Sequence, residues 1–246
     1  MSGLAFTQVS FSYGQTPCIR LFSVQLAKGQ LVGLIGANGS GKTTLLRLGA
    51  GLLRADQGQV TLDGKSVGSW RGHERASRLS YLPQTLEVPL PFRVLELVEM
   101  GRAAGRHPQR LTCAEVLEMV GLTGKAELPL AEISGGERQR AFLAMTLAQG
   151  GSTLLLDEPL AGLDLRYQYE LLALLRQLCQ ERGLTILLSL HDLMLARELD
   201  RLLVLRQGEL LADGLPGELL QPELVCRTFD LDPAAQWNVA WQAHKD

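Results

Sequence analysis

The sequence predicts an α/β protein built around a parallel sheet, with a helical segment inserted into it. Short apolar stretches such as "QLVGLIGANG", "STLLLDEP" and "TILLSLHD" are each followed by a helical pattern. Buried apolar strands that alternate with helices are typical of a parallel sheet. Between Pro83 and Pro129 the pattern changes, because apolar residues there recur mainly at helical spacing.

Composition excludes several classes of protein. The 246 residues, 46% of them hydrophobic, are enough to bury the core of one large domain. A net charge of -2 argues against a broad nucleic-acid surface, so no nucleic-acid partner is expected. No apolar run approaches the ~20 residues of a membrane-spanning helix, and the first residues lack a signal-peptide pattern. The four cysteines form no C-x-x-C pair, which favours a reducing compartment over a zinc site or a disulfide framework.

The first predicted elements are a strand, a second strand and a helix. "LAFTQVSFSYG" places Val9, Phe11 and Tyr13 on one face of a strand because their spacing alternates. "QLVGLIGANG" is a short apolar strand that ends in glycines, and a helix is predicted from about Thr43 to Gly51. "GQVTLDG" predicts another short strand.

The next stretch is predicted to be a helical insert. "VLELVEMG" and "TCAEVLEMVGL" have helical spacing, and the second carries a capping box at Thr112 and Glu115 with a stop glycine at Gly121. "AAGRHPQR" between them is typical of a loop. The predicted boundaries are a single domain at 1–246, its core at 1–84 and 134–246, and the insert at 85–133.

The alternation of strands and helices then resumes. "STLLLDEP" predicts a strand that ends in acids, and a helix is predicted from Leu165 to Arg182 with Gly183 as its stop. "TILLSLHD" predicts another buried strand followed by a short helix. "RLLVLRQGELLADG" predicts a hairpin that turns at Gln207 and Gly208.

The segment "GANGSGKTT" carries the strongest chemical signal. It matches G-x-x-x-x-G-K-[ST] between an apolar strand and a helix, the context that a phosphate-binding loop needs. Its glycines let backbone N–H groups turn toward an anion, and the start of the helix adds partial positive charge. Lys42 supplies a full charge for β- and γ-phosphates, and the Thr43 hydroxyl suits Mg²⁺. The predicted nucleotide-binding residues here are Gly36, Asn38, Gly39, Ser40, Gly41, Lys42, Thr43 and Thr44.

Two acids follow the strand "TLLL". Ligands of a parallel sheet bind at the carboxyl ends of its strands, where Asp157 and Glu158 emerge. Phosphoryl transfer needs a held Mg²⁺ and an oriented water. We expect Asp157 to hold the metal and Glu158 to polarise the attacking water. On the residues alone, acids that merely cap an exposed strand end remain an alternative.

The segment "ISGGERQR" combines a good helix cap with a poor first turn. Ser134 and Glu137 fit a capping box, whereas Gly135 and Gly136 each cost about 1 kcal/mol relative to Ala. Glycines at the start of a helix leave N–H groups bare, which indicates a second anion site. An ordinary helix cap also fits these residues.

The phosphate loop, "ISGGERQR" and "TLLLDEP", in this order and spacing, resemble the nucleotide-binding domain of an ABC ATPase. The resemblance implies a P-loop NTPase core with a mixed, mainly parallel sheet, an N-terminal antiparallel β region and an inserted α-helical subdomain. It also implies that Ser134, Gly135 and Gly136 close over ATP held by a second copy of the chain. The family's usual Leu-Ser-Gly-Gly-Gln is Ile-Ser-Gly-Gly-Glu here, with Glu137 at the fifth position.

The same resemblance assigns roles to four further residues. Tyr13 in "FSYG" is similar to the aromatic that stacks on adenine, and a core strand tyrosine is the alternative on the residue alone. Gln84 in "YLPQ" resembles the glutamine that touches Mg²⁺ or water and links to the transmembrane partner. Asp164 in "AGLD" resembles an aspartate of the dimer interface. His191 in "LSLHD" resembles the histidine that contacts the γ-phosphate.

The resemblance further implies an ATPase that uses ATP and Mg²⁺ and powers a separate polytopic permease. It places the chain peripherally on the cytoplasmic face of the inner membrane, coupled indirectly to an extracytoplasmic substrate-binding protein. "PFRVLELVEMGR" and "ADGLPGELLQPELVCRTFDLD" are similar to segments of importers for iron–siderophore, haem, cobalamin or related metal chelates. The alternative is a soluble ABC ATPase of iron–sulfur cluster assembly. A DNA-repair ABC ATPase fits less well because no long coiled coil interrupts the chain.

Overall fold

The computed structural model describes residues 3–84, 91–105 and 111–232. The strands in these ranges are β1 (Leu4–Tyr13), β2 (Thr16–Gln25), β3 (Leu31–Ile35), β4 (Gln57–Leu62), β5 (Lys65–Ser66), β6 (Leu79–Leu82), β7 (Thr153–Leu156), β8 (Thr185–Ser189), β9 (Arg201–Arg206) and β10 (Glu209–Gly214). The α-helices are α1 (Lys42–Gly49), α2 (Gly72–Ala76), α3 (Val94–Ala104), α4 (Cys113–Met119), α5 (Gly135–Ala148), α6 (Leu165–Arg182), α7 (Leu193–Ala196), α8 (Pro216–Leu219) and α9 (Pro222–Phe229). None of these helices combines the length and the apolar character that crossing a bilayer requires.

The larger sheet is mixed and mainly parallel, as predicted. In the described part of the chain its order is β10-β9-β3-β8-β7-β6, and only the β9–β10 hairpin pairs antiparallel. Every residue of β3, β7 and β8 is buried, because helices or the second sheet cover both faces. The carboxyl ends of these three strands meet at one edge, where the phosphate loop, Asp157, Glu158 and His191 follow them.

The N-terminal strands form the predicted antiparallel region. Strand order is β2-β1-β4-β5 among the described residues. Gln8 has a φ of +48°, and the bulge there lets Phe6 and Val9 face the same core although they are three residues apart. Strand β2 was not predicted, because Leu21 with a φ of +46° interrupts its alternation of apolar and polar residues.

Helix α1 lies between the two sheets. Leu45, Leu46 and Leu48 are buried in a core that the antiparallel sheet and one face of the larger sheet share. The predicted helix from Thr43 to Gly51 is nearly correct, since α1 starts one residue earlier and ends at Gly49. Gly51 has a φ of +67°, a conformation that ends the helix.

Helices α3 and α4 lie in the stretch predicted as the insert and pack with α5 over the other face of the larger sheet. Gly101 makes this packing possible, because a Cβ there would lie 2.1 Å from the Met145 carbonyl oxygen. The capping box of Thr112 and Glu115 is confirmed at the start of α4. Of the predicted loop "AAGRHPQR", the first two residues end α3, and residues 106–110 lie outside the described ranges. The boundaries of the insert stay a prediction.

Two predicted elements after the insert are confirmed without change. Helix α6 spans Leu165–Arg182 and ends at Gly183, whose φ is +66°. The hairpin of β9 and β10 turns through Gln207 and Gly208, with φ values of +49° and +82°. The hairpin turn lies beside the phosphate loop, because the Gly208 amide donates to the Ser40 carbonyl oxygen at 3.0 Å.

Candidate active site

The loop between β3 and α1 has the shape of an anion cradle. Gly36 is required because a Cβ there would lie 2.2 Å from the Leu205 carbonyl oxygen. Gly41 is required because its φ is +105° and a Cβ would lie 2.7 Å from Ile19 Cδ1. Asn38 and Gly39 at the tip are exposed, so the tip of the loop is accessible from solvent.

Lys42 is folded into the curve of this loop. Its Nζ donates to the carbonyl oxygens of Gly36 at 2.8 Å and Ala37 at 3.1 Å. Burial lowers the pKa of the Lys42 ammonium, while the nearby carboxylates of Glu158 and Asp157 act in the opposite direction. The buried ammonium is held at the loop by two backbone carbonyl oxygens, which places a full positive charge where an anion would enter the loop.

Asp157 is completely buried at the end of β7. Ser189 Oγ donates to Asp157 Oδ1 at 2.7 Å and accepts from the Glu158 amide at 2.9 Å. One serine therefore fixes both acids. Ser189 was not among the predicted site residues, although a single polar residue late in the apolar run "TILLSL" is a signal that points to it.

The second oxygen of Asp157 remains unpaired. Asp157 Oδ2 is buried and accepts no hydrogen bond from any described residue. Leaving a buried acceptor unsatisfied costs roughly 1–3 kcal/mol. This free oxygen fits a Mg²⁺ ion or its bound water, and Thr43 in the first turn of α1 supplies the hydroxyl expected of such a site. The described residues include no group of three or more His, Cys, Asp or Glu side chains, and Mg²⁺ beside phosphates needs only one or two carboxylates.

Glu158 is held between two other predicted catalytic residues. Gln84 Nε2 donates to Glu158 Oε2 at 2.8 Å, and His191 Nε2 contacts Glu158 Oε1. Glu158 has a φ of +52°, which costs a non-glycine residue about 1–3 kcal/mol and is common at functional sites. The structure thus brings Gln84, Glu158 and His191 together at the carboxyl edge of the sheet.

Tyr13 lies beside the phosphate loop. Its hydroxyl is 3.4 Å from Thr44 Oγ1, and its ring, 48% exposed, meets Phe11 edge-on. A core tyrosine would be buried, so the exposed ring favours the ligand-stacking interpretation. Cys18, which the sequence analysis did not single out, donates from Sγ to the same Thr44 oxygen at 3.3 Å.

The Ser-Gly-Gly segment lies apart from this cluster. Ser134 caps α5 through the predicted box, because Glu137 N donates to Ser134 Oγ at 3.3 Å and Ser134 N donates to Glu137 Oε2 at 3.0 Å. Ser134 and Gly135 are exposed, and a Cβ on Gly135 would have open space around it. Packing within the chain therefore does not explain the glycine at position 135.

Asp164 belongs with this second surface. It caps α6 by accepting from the Tyr167 amide at 3.1 Å and is exposed. It follows Leu163, whose Cδ2 would lie 3.4 Å from a Cβ on Gly136. The predicted site residues therefore fall into two groups, one around the phosphate loop and one around the start of α5.

Comparison with known proteins identifies relatives of this chain. A model of the ABC transporter family matches residues 19–161, more than half of the chain. The petrobactin import ATP-binding protein FpuC of Bacillus anthracis is 40% identical over 239 residues, which cover 93% of this chain and 87% of that protein. The hemin import ATP-binding protein HmuV of Rhodopseudomonas palustris (strain BisB18) is 39% identical over 242 residues, covering 94% and 90%. A solved structure described as a metal-chelate type ABC transporter in an inward-facing conformation superposes with a TM-score of 0.78 at 26% identity, covering 93% of this chain and 88% of that one.

Proposed function

The chain belongs to the ABC transporter family, and from that premise we propose that it powers the import of a metal chelate through a separate membrane permease. It is an ATP-binding and ATP-hydrolysing subunit. The choice of cargo is supported by the petrobactin and hemin importers to which it is similar. The proposed imported substrate is therefore a metal chelate such as an iron–siderophore, haem or cobalamin.

The observation that carries the catalytic part is the position of Glu158 between Gln84 and His191. A carboxylate held by two side chains at the carboxyl edge of the sheet can orient a water toward a phosphate bound in the neighbouring loop. Lys42 and the loop amides hold the β- and γ-phosphates, and Tyr13 stacks on adenine. His191 contacts the γ-phosphate, and Gln84 connects the site to the permease.

Mg²⁺ fits the free oxygen of Asp157 together with the hydroxyl of Thr43 and the side-chain amide oxygen of Gln84. When bound, the ion neutralises charge that develops on the phosphate oxygens. Asp157 holds the ion's position because Ser189 fixes its other oxygen. Thr43, Gln84 and Asp157 are therefore the proposed metal ligands, and Glu158 is the residue proposed to act on water.

The working unit is a homodimer with two ATP molecules between the copies. Ser134, Gly135 and Gly136 of one copy meet the γ-phosphate held by the other, and Asp164 lies at the same interface. The open space around Gly135 supports this arrangement, because a bare helix start on the surface is suited to an external anion. ATP then joins the two copies, and hydrolysis lets them separate.

The proposed role in import implies two further protein partners. A polytopic permease docks on the insert at 85–133, and an extracytoplasmic substrate-binding protein delivers the chelate to that permease. The chain is peripheral to the membrane, on the cytoplasmic face of the inner membrane. The petrobactin and hemin relatives give the alternative of iron–sulfur cluster assembly no support.

Purification from native membranes tests the transport role. The tagged chain is extracted in mild detergent, and its partners are identified by mass spectrometry. We expect a polytopic permease, and loss of the gene should abolish uptake of one radiolabelled chelate among siderophore iron, haem and cobalamin. A soluble cluster scaffold in place of the permease, with uptake of all three unchanged, would overturn the proposal.

A further inference from the structure

The start of α5 carries a negative charge next to the place where a phosphate is proposed to bind. Glu137 is the third residue of the helix, and its Oε2 accepts from the Ser134 amide at 3.0 Å. Its pKa is lowered from 4.5 to about 2, chiefly by a hydrogen bond from Lys125 and then by the Ser134 amide. The carboxylate is therefore ionised at every physiological pH.

A bare carboxylate at this point would oppose anion binding. The first turn of a helix attracts anions because its N–H groups and dipole supply partial positive charge. A full negative charge in the same turn cancels that attraction and repels a phosphate. An uncharged Gln, usual at this position in the family that the chain resembles, avoids the conflict, so this chain needs another means of neutralisation.

Lys125 provides that neutralisation. Its Nζ lies 2.5 Å from Glu137 Oε1, and the side chain of Glu137 is only 18% exposed. Lys125 ends a short 3-10 helix at Thr123–Lys125, in the stretch predicted as the insert. The ion pair therefore spans two segments, and it joins the insert to the helix whose start is proposed to bind phosphate.

Arg140 is a weaker neutraliser of the same carboxylate. Its guanidinium is 3.9 Å from Glu137 Oε1, compared with 2.5 Å for Lys125. Arg140 also donates to the Val120 carbonyl oxygen at 2.9 Å and stacks over the Tyr167 ring at 4.1 Å. These contacts hold Arg140 in place between the insert and α6, and Lys125 remains the closer cation.

We propose that Lys125 is a positioning residue that neutralises Glu137, so that the Ser134–Gly136 segment can accept the γ-phosphate held by a second copy. The inference rests on the proposed ATP-sandwich function and adds a residue to it. Lys125 acts through Glu137 and does not itself touch the nucleotide. Its effect is therefore on the affinity for ATP in the closed dimer, more than on the chemical step.

The test is a double-mutant cycle measured by steady-state ATPase kinetics. Lys125→Met should raise KM for ATP about fivefold, the upper range for a solvent-accessible ion pair, while kcat changes less than twofold. Glu137→Gln should keep the wild-type KM for ATP, since Gln also serves at the third position of a capping box. The double variant should return KM to the wild-type value, because it no longer contains a charge to neutralise.

Salt and a second lysine serve as controls. The KM difference between Lys125→Met and wild type should shrink at high ionic strength, as expected for a screened charge effect. Lys28→Met removes another lysine of a surface ion pair, 3.5 Å from Asp63 on the antiparallel sheet, and should leave KM unchanged. Thermal unfolding of each variant checks that the chain remains folded.

Two outcomes would overturn the inference. One is an unchanged KM in Lys125→Met, and the other is a double variant that keeps the raised KM and so shows that Lys125 acts by another route. Ser134→Arg, assayed in parallel, separates this from a failure of the proposed function. If Ser134→Arg stops turnover while Lys125→Met has no effect, only the role of Lys125 is wrong; if Ser134→Arg is also silent, the ATP sandwich itself is wrong.

Discussion

Replacing Glu158 by Gln should nearly stop ATP hydrolysis while leaving ATP binding intact. Gln has the shape of Glu, so it can occupy the same position, and its amide oxygen can still accept from Gln84 Nε2. What it loses is the negative charge that polarises water. The contacts proposed to hold ATP come from Lys42 and the loop before α1, and the substitution does not alter this loop.

The size of the effect follows from the role assigned to this carboxylate. A positioned general base contributes about 10² to 10⁴ in rate, which corresponds to about 3–5 kcal/mol of activation free energy. Removing a negative charge near the phosphates should leave the affinity for ATP equal to or tighter than that of wild type. Glu and Gln at position 158 share the strained φ of +52°, so backbone strain should not contribute to the difference in rate between the variant and wild type.

The assay combines phosphate release with nucleotide binding on the same preparation. Turnover is measured as inorganic phosphate at saturating Mg-ATP, and affinity with a fluorescent ATP analogue. Asp192→Asn is the matched control, since Asp192 follows His191 and, among the described residues, accepts from the amides of Met194 and Leu195 to cap α7. Asn caps as well as Asp, so turnover should stay within twofold. A Glu158→Gln rate within tenfold of wild type would refute the assignment of the base.

Three further predictions concern stability and are checked by thermal unfolding. Ser189→Ala leaves both oxygens of buried Asp157 without a described hydrogen-bond partner and should cost about 1–3 kcal/mol; an unchanged Tm would contradict this. Gly101→Ala forces a Cβ to within 2.1 Å of the Met145 carbonyl oxygen and should cost about 1–3 kcal/mol or more, and a neutral result would show that α3 can shift freely. The pKa of Glu137 falls from 4.5 to about 2 on folding, so its stabilisation is complete above about pH 5 and is lost as the pH falls toward 2. The Tm gap between wild type and Glu137→Gln should therefore be constant above about pH 5 and close below it; a gap independent of pH would contradict the ionised pair.

Local patterns were enough to predict the elements that depend on neighbouring residues. The hairpin at Gln207 and Gly208 and the capping box at Ser134 are set by turn and cap chemistry within a few residues. Strand β2 was not predicted because a single residue, Leu21, in the left-handed conformation shifts its alternation. Strand β6 was not predicted because its four residues are too few to show a strand pattern. It is stabilised by pairing with β7, about seventy residues later.

The sequence did not predict which side chains from distant segments of the chain contact one another in the site. The order of motifs predicted Gln84, Glu158 and His191, but not that the first and last would both contact the carboxylate of the second. The interaction of Lys125 with Glu137 likewise depends on how the insert packs against α5. Such contacts follow from the packing of whole elements, which neither composition nor periodicity encodes.

A structure of the Glu158→Gln variant with Mg-ATP tests the central claim most directly. We predict a dimer in which the Gly135 or Gly136 amide of one copy lies within hydrogen-bond distance, ~2.7–3.2 Å, of a γ-phosphate. That phosphate should belong to the ATP bound by Lys42 of the other copy. ATP bound at Lys42 with both glycines facing only solvent would contradict the claim.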